Sequence, residues 1–374
     1  MAGRSDVYGK YSLGSGAILA NPDRVWTKLA DPEVLADYAK SMRSDLAKSG
    51  IALSRLADWR IMDVGTGRQA LTFLNFGARH VSHFDISEEN VARVREYAAS
   101  EAAGRLETRC CDLVQTDLGR DRFDLVYLNG IVQHFSDVGK GVMNCIKALK
   151  QDGYLWLYFY RSGTFDNFVL YMLRTLAYGS NVASDDAKMR DYFVASRFFF
   201  SPEAKSNYLT SIFMDGLFTR YAQLFTPATY LEFAKACGLE VVSTSGIDPL
   251  GRDVDHVFAR AATVVTLRKT RTVTDAELSE AAKRLSPEAG VDQLRRGLYD
   301  DPEILRSIDL FEALKQQLSA APPAQTMLAV MRIFAVLAQT IRAPGFDPTQ
   351  RHVVLQQVMQ ECVGLLKQEY AARV

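Results

Sequence analysis

The chain has 374 residues, 48% of them hydrophobic and 24% charged, a length that calls for more than one domain and a composition that rules out wholesale disorder. Its 44 basic residues balance 44 acidic ones, so it lacks the basic footprint of a protein that grips nucleic acid or an anionic membrane. Five cysteines, with Cys110 and Cys111 adjacent and no CxxC spacing, exclude a disulfide framework and a zinc-finger type of metal site, and fit reduced cytosolic thiols.

In chain order, Asp31 and Pro32 supply a cap and a first helical position, and Val34, Leu35, Tyr38, Met42 and Leu46 recur at helical spacing up to Gly50. From Arg60 short apolar strands alternate with amphipathic helices, the pattern of a doubly wound, mostly parallel α/β sheet. Strands are predicted at Arg60–Val64, Val81–Asp85, Leu106–Cys111, Phe123–Leu128 and Gly153–Tyr160, with helices starting near Arg68, Ser87 and Asp137. The last of these helices turns Val142, Met143, Ile146 and Leu149 to one face. After Arg161 the alternation stops through an aromatic- and Met-rich insertion that ends near Leu224 and reads as a helical lid. It resumes with a helix from Thr226-Pro227 to Ala236 and strands at Leu239–Thr244 and Asp255–Ala261.

From Val264 the chain reads as helical, with candidates at Asp275–Leu285, Pro302–Leu318, Ala324–Ile341 and Thr349–Tyr370. These breaks define a helical cap over 1–55, an α/β domain over 56–263 carrying the lid at 161–224, and an all-helical C-terminal domain over 264–374. The helix at Ala324–Ile341 is apolar nearly all round, which suits a bundle core or a homodimer contact. The N-terminus lacks an apolar signal region, and the most apolar stretch is interrupted by Arg332 and too short to span a bilayer. The expectation is therefore a cytoplasmic protein that does not enter the membrane.

The central signal is IMDVGTGRQA, a strand, then Gly65, Thr66 and Gly67, then a helix. Such a turn brings backbone N–H groups at a helix start close to a ligand. Gly65, Gly67 and Ala70 also satisfy a dinucleotide fingerprint, but Asp63, at the strand end, would repel a pyrophosphate and welcome a cationic amino or sulfonium group. Asp85 ends the second strand, where a carboxylate grips the ribose hydroxyls of a nucleoside. Asp112 follows the third strand, placed to accept from an exocyclic amine of adenine. Each acid taken singly also reads as turn punctuation. Together they define one acidic crevice at the carboxyl ends of the strands.

These residues resemble class I S-adenosylmethionine-dependent methyltransferases over about Asp31 to Thr263. The likeness rests on DVGTG at Asp63–Gly67, Asp85, Cys111-Asp112-Leu113, FDLVYLNGIVQHF at Phe123–Phe135 and ALKQDGYLWL at Ala148–Leu157. Gln69 stands where many members have a third glycine. The resemblance implies a seven-stranded sheet whose last strand is antiparallel, with S-adenosylmethionine as cofactor and S-adenosylhomocysteine as product. It assigns the glycine turn and Asp63 to the methionine moiety, Asp85 to the ribose and Asp112 to the adenine, with Ile86, Cys111 and Leu113 as further cofactor contacts. Backbone of Leu128 and Asn129 would face the cofactor's amino group, and Tyr8 and Tyr11 would belong to an N-terminal segment that covers it.

Methyl transfer from a sulfonium chiefly demands alignment in a dry site, and a base only where the acceptor must lose a proton. His134, after the fourth strand, is the candidate base, against a plain reading as a packed loop histidine. Tyr158, Tyr160 and Arg161 leave the fifth strand towards the same crevice, with Tyr160 and Arg161 as candidate acceptor contacts. His80 and His83 read as solvated or helix-packed side chains. The expected activity is methylation of an oxygen or nitrogen of a small molecule, a specialised metabolite, with no metal and no nucleic-acid or membrane partner. Peptide or protein methylation, a nicotinamide enzyme and an idle cofactor-binding module acting in a complex stay open as alternatives.

Overall fold

The computed structural model describes residues 32–101, 104–160, 223–245, 262–285 and 350–371, together with 329, 333, 336 and 345–347. Those from 32 to 285 belong to one compact unit and those from 329 onward to a second. The first unit opens with α1 (Pro32–Lys48) and a 3-10 turn (Leu53–Asp58). Next come β1 (Arg60–Val64), α2 (Arg68–Asn75), β2 (His80–Asp85), α3 (Glu88–Glu101) and β3 (Leu106–Cys110). The chain continues through β4 (Phe123–Asn129), a 3-10 turn (Val132–His134), α4 (Val138–Ala148) and β5 (Leu149–Tyr160). The unit closes with α5 (Pro227–Ala236), β6 (Leu239–Ser245), β7 (Ala262–Lys269), α6 (Asp275–Ala282) and a 3-10 turn (Lys283–Leu285).

The strands form a 7-stranded sheet in the order β3-β2-β1-β4-β5-β7-β6. β1 to β5 are parallel, while β7 runs antiparallel to both β5 and β6. This is the class I methyltransferase order, and the winding direction reverses between β1 and β4, the place where open α/β sheets bind ligands. The period of two along the strands sends side chains alternately to two cores. Met62, Val64, Val126, Leu128, Leu155 and Leu157 meet Val142 and Ile146 of α4 and Phe233 of α5 on one face. Ile61, Leu125, Tyr127 and Trp156 meet Leu35, Met42 and Leu46 of α1 and Leu71 and Leu74 of α2 on the other. Burying each such side chain contributes about 1.5–3 kcal/mol, so both helical layers are held mainly by these stripes.

The local signals read from the sequence explain most element starts. Asp137 caps α4 by accepting from Lys140 N–H, and Thr226 caps α5 with Pro227 at its first turn. Two expectations are corrected. Leu149 does not belong to the apolar face of α4: it opens β5, pairs with Phe123, and a register shift follows before Tyr154 pairs with Leu125. Asp152 takes φ 60° within that irregularity, so the KQDG segment is a bulged part of the strand. The partner of β6 is Ala262–Lys269, whose Thr263, Val264, Val265 and Thr266 are β-branched. The expected strand at Asp255–Ala261 lies outside the described residues. The boundary drawn at 263/264 therefore falls inside β7. Leu278 and Ala281 of α6 join the α4–α5 core, so the unit extends to Leu285 rather than giving way to a separate helical domain.

In the second unit the helix read at Thr349–Tyr370 is α7 (Arg351–Ala371), with Val358 and Cys362 buried. The helix read at Pro302–Leu318, the homodimer contact and the lid lie outside the described residues; of the helix read at Ala324–Ile341 only residues 329, 333 and 336 are described, all of them helical. Among the described residues no helix is long and apolar enough to cross a membrane.

Candidate active site

The carboxyl ends of β1, β2, β3 and β4 bring the predicted residues into one region. Gly65 leaves β1 at φ 118° with its N–H donating to Phe84 O at 3.0 Å. A Cβ built on Gly65 would meet nothing within 4 Å, so the turn is open over this residue. Gly67 takes the left-handed φ of 84° and caps α2 without a side-chain hydrogen bond. A Cβ there would stand 2.2 Å from Val94 Cγ2, so the turn is pressed against α3 and tolerates only glycine. The first turn of α2, though its Arg68 and Ala70 side chains are wholly buried, carries backbone N–H groups with no partner inside the helix, which suit a carboxylate or phosphate. Thr66 stays beside this turn, its Oγ1 3.4 Å from an Arg68 nitrogen.

The structure changes the reading of Asp63. Its carboxylate does not line an open acidic mouth: it is wholly buried on the α1–α2 face of the sheet, with Oδ2 3.1 Å from His83 Nδ1. His83 is likewise wholly buried, so of the two readings, solvated or helix-packed, it is the packed one. The cause is register, since β1 and β2 set residues 63 and 83 side by side. Asp63 Oδ1 remains buried without a hydrogen-bond partner.

Asp85 closes β2 as expected, with Oδ1 accepting from Ser87 N–H at 2.7 Å and Oδ2 from Asn90 Nδ2 at 3.1 Å. Each oxygen keeps a second lone pair for a ligand hydroxyl. Burial pushes the Asp85 carboxyl up to about 6, against the lowering effect of His83 and both hydrogen bonds. Ile86, half-buried, offers its carbonyl to Cys110 Sγ, and Cys111 N–H donates to Asp85 O at 2.9 Å, which ties the ends of β2 and β3 together. Burial also raises the Cys111 thiol. Asp112 lies at the rim, half-buried, but Oδ1 accepts from Val114 N–H at 2.9 Å and its carbonyl takes the hydroxyl of Thr116 at 2.7 Å. The turn role considered for this acid is thus realised, and Leu113 beside it is a core residue.

β4 ends on buried Leu128 and half-buried Asn129, and Gly130 N–H then donates to Tyr158 O at 3.1 Å. The next turn holds a residue that sequence reasoning missed. Gln133 is wholly buried, its Nε2 donating to Gly130 O at 2.7 Å and lying 3.2 Å from His134 Nε2. An amide nitrogen only donates, so His134 Nε2 is the acceptor and this ring nitrogen is occupied. The candidate base is therefore a packed, hydrogen-bonded ring, and the loop-histidine reading describes its surroundings. The ring meets Tyr160 edge-on at 6.3 Å, so the structure does bring these two predicted residues together. Burial holds the Tyr160 phenol well above its usual range, as a neutral hydroxyl. Arg161, Tyr8 and Tyr11 lie outside the described residues.

Comparison with known proteins adds to this geometry. Residues 62–157 match the family described as methyltransferase domain. Over 104 residues the chain is 32% identical to the ubiquinone biosynthesis O-methyltransferases of Nitrobacter winogradskyi and of a Bradyrhizobium species. That stretch covers 27% of this chain and 39% and 40% of those proteins, so the chain spans well under half the length of the curated relatives it matches. A solved structure similar to this one is the 1,6-didemethyltoxoflavin-N1-methyltransferase of Burkholderia thailandensis with bound 1,6-didemethyltoxoflavin and S-adenosylhomocysteine. It is 18% identical with a TM-score of 0.35, over 64% of this chain and 88% of that one. The match over residues 62–157 spans β1 to β5 of a sheet whose full strand order is that of the class I methyltransferase fold.

Proposed function

We propose that the chain transfers a methyl group from S-adenosylmethionine to an oxygen or nitrogen of a small-molecule acceptor. The observation that carries this reading is the glycine turn between β1 and α2, set at the point where the sheet reverses and flanked by the buried acids Asp63 and Asp85. A zwitterionic amino-acid end fits it: the N–H groups of the α2 N-terminus suit the carboxylate, and Asp63 Oδ1 lacks a donor that an ammonium would supply. A pyrophosphate would satisfy the helix end but would place negative charge beside Asp63. Gly65 and Thr66 would frame the methionine moiety and Asp85 with Ile86 the ribose. Cys111, Asp112 and Leu113 would frame the adenine, and the Leu128 and Asn129 backbone would face the amino group. The bound cofactor supplies an electrophilic methyl on a cationic sulfur.

The protein's own share of catalysis is alignment and exclusion of water. His134 and Tyr160 would border the acceptor, with Arg161 as a contact for an acidic group on it and Tyr8 and Tyr11 in a covering segment. Oxygen is the first choice of acceptor atom, in line with the relatives named O-methyltransferases, and a specialised metabolite is the class of substrate that an enclosed site suits.

The test is calorimetric titration with S-adenosylhomocysteine and with NADH. The first is expected to bind and the second not, and Asp85→Ala should weaken binding about 100-fold by removing two charge-assisted hydrogen bonds. Binding of NADH in place of the nucleoside thioether would overturn the reading. Turnover of methyl-labelled cofactor on panels of phenols, alcohols, amines and peptides then identifies the acceptor, and labelling of peptides alone would exclude a small-molecule one.

A further inference from the structure

Asp63 and His83 lie abreast on β1 and β2, both wholly buried, with His83 Nδ1 3.1 Å from Asp63 Oδ2. With the carboxylate oxygen as acceptor, the bond takes the tautomer of His83 that carries its hydrogen on Nδ1. On its other flank Asp63 is abreast of Tyr127, whose ring is engaged by Phe73 edge-on and by Trp156 in a stack. The carboxylate is thus fixed at one oxygen and walled by an aromatic row, while Oδ1 stays buried with no donor. A lone carboxylate oxygen in such surroundings costs free energy until a donor reaches it. Nothing in strand packing requires a histidine at 83, and a buried imidazole whose Nε2 is also unpartnered is a costly way to fill the position.

We propose that His83 is a positioning residue for the cofactor: it locks Asp63 so that Oδ1 receives the α-ammonium of the methionine end. This rests on the S-adenosylmethionine reading above and sharpens it, because it separates the two ends of the ligand. The His83–Asp63 pair serves the amino-acid end, and Asp85 serves the nucleoside end. Losing the Nδ1 donor frees Asp63 to turn and loosens one end while leaving the other intact.

The experiment compares wild type, His83→Leu, His83→Asn and His83→Gln by calorimetry with two ligands. One is S-adenosylhomocysteine; the other is 5′-methylthioadenosine, which keeps the nucleoside thioether and lacks the amino-acid end. His83→Leu is expected to weaken S-adenosylhomocysteine about tenfold or more and leave 5′-methylthioadenosine unchanged. His83→Asn, whose amide nitrogen occupies the place of Nδ1, should restore the loss; His83→Gln, whose nitrogen falls elsewhere, should not. Should His83→Leu fail to fold, the Asn and Gln variants carry the test alone. Equal weakening of both ligands, no weakening of either, or equal behaviour of Asn and Gln overturns the positioning role. Failure of the wild type to bind either nucleoside overturns the cofactor reading itself, a separate result.

Discussion

Asn90, in the first turn of α3, donates from Nδ2 to Asp85 Oδ2 at 3.1 Å and so holds the acid at the end of β2 in a single orientation. This bond favours the carboxylate, yet burial outweighs it and lifts the pKa from 3.8 to about 6. A folded pKa above the unfolded one means that the native state binds the proton more tightly. The stability from this group is full below about pH 4 and is lost as pH rises through 6. Ionised Asp85 thus costs the unliganded protein on the order of 3 kcal/mol at neutral pH. Urea denaturation from pH 4 to 7 should show the Asp85→Asn variant gaining on wild type across that window. Affinity for S-adenosylhomocysteine should rise through pH 6 in wild type and stay flat in the variant; parallel stability curves would refute the shift.

Gly67 offers a sharper structural test. Alanine there must adopt φ 84° and place Cβ 2.2 Å from Val94 Cγ2. The strain and the overpacking together should cost about 2–5 kcal/mol. Thermal melts of Gly67→Ala and of Gly67→Ala with Val94→Ala should show partial rescue in the pair, since the smaller residue relieves the clash but not the backbone strain. Wild-type stability in the single variant would mean that the turn is looser than described.

The Gln133–His134 contact predicts coupled losses. Gln133→Ala deprives both Gly130 O and His134 Nε2 of a donor, which should cost about 1–3 kcal/mol. In the double variant with His134→Ala the losses should fall short of their sum. Because Nε2 already accepts, His134→Ala should lower kcat without deleting a limb from the pH–rate profile. Disappearance of a limb near the ordinary histidine range would assign the ring to proton transfer.

Lys269, the last residue of β7, is almost fully buried, with Nζ donating to the carbonyls of Ile146 and Leu149 and lying 3.3 Å from Asp121. It satisfies carbonyls where α4 passes into β5, with its charge at the helix end that favours a cation. Lys269→Met should destabilise by about 2–4 kcal/mol, chiefly by orphaning those carbonyls. Chemical denaturation measures it, and a neutral result would place the carbonyls in contact with water.

What was legible in the sequence was local. The Asp137 and Thr226-Pro227 caps and the Gly65–Gly67 turn carry their instructions within a few residues, and α4, α5 and the β1–α2 turn start where those signals place them. Asp85 could be placed because a strand end is itself a local event. The failures concern partners distant in sequence. Leu149 belongs to β5 because Phe123 pairs with it, and β7 starts at Ala262 because β5 and β6 receive it there. His83 could have been found by counting: it stands two residues before Asp85 as Asp63 stands two before Gly65, and parallel strands set such positions abreast. Gln133 gave no signal, since an amide in a loop reads as solvated until a fold closes over it.

Among the described residues β7 is the last strand to be synthesised, yet it lies between two earlier ones and is the strand to which β6 is joined in the sheet. A ribosome that has delivered the chain only as far as residue 261 has therefore made a raw margin on β5 and a β6 with no strand to hold it. Premature termination anywhere in that interval leaves a product that invites foreign strands and coaggregation. The cell's quality control should meet this protein at that seam first.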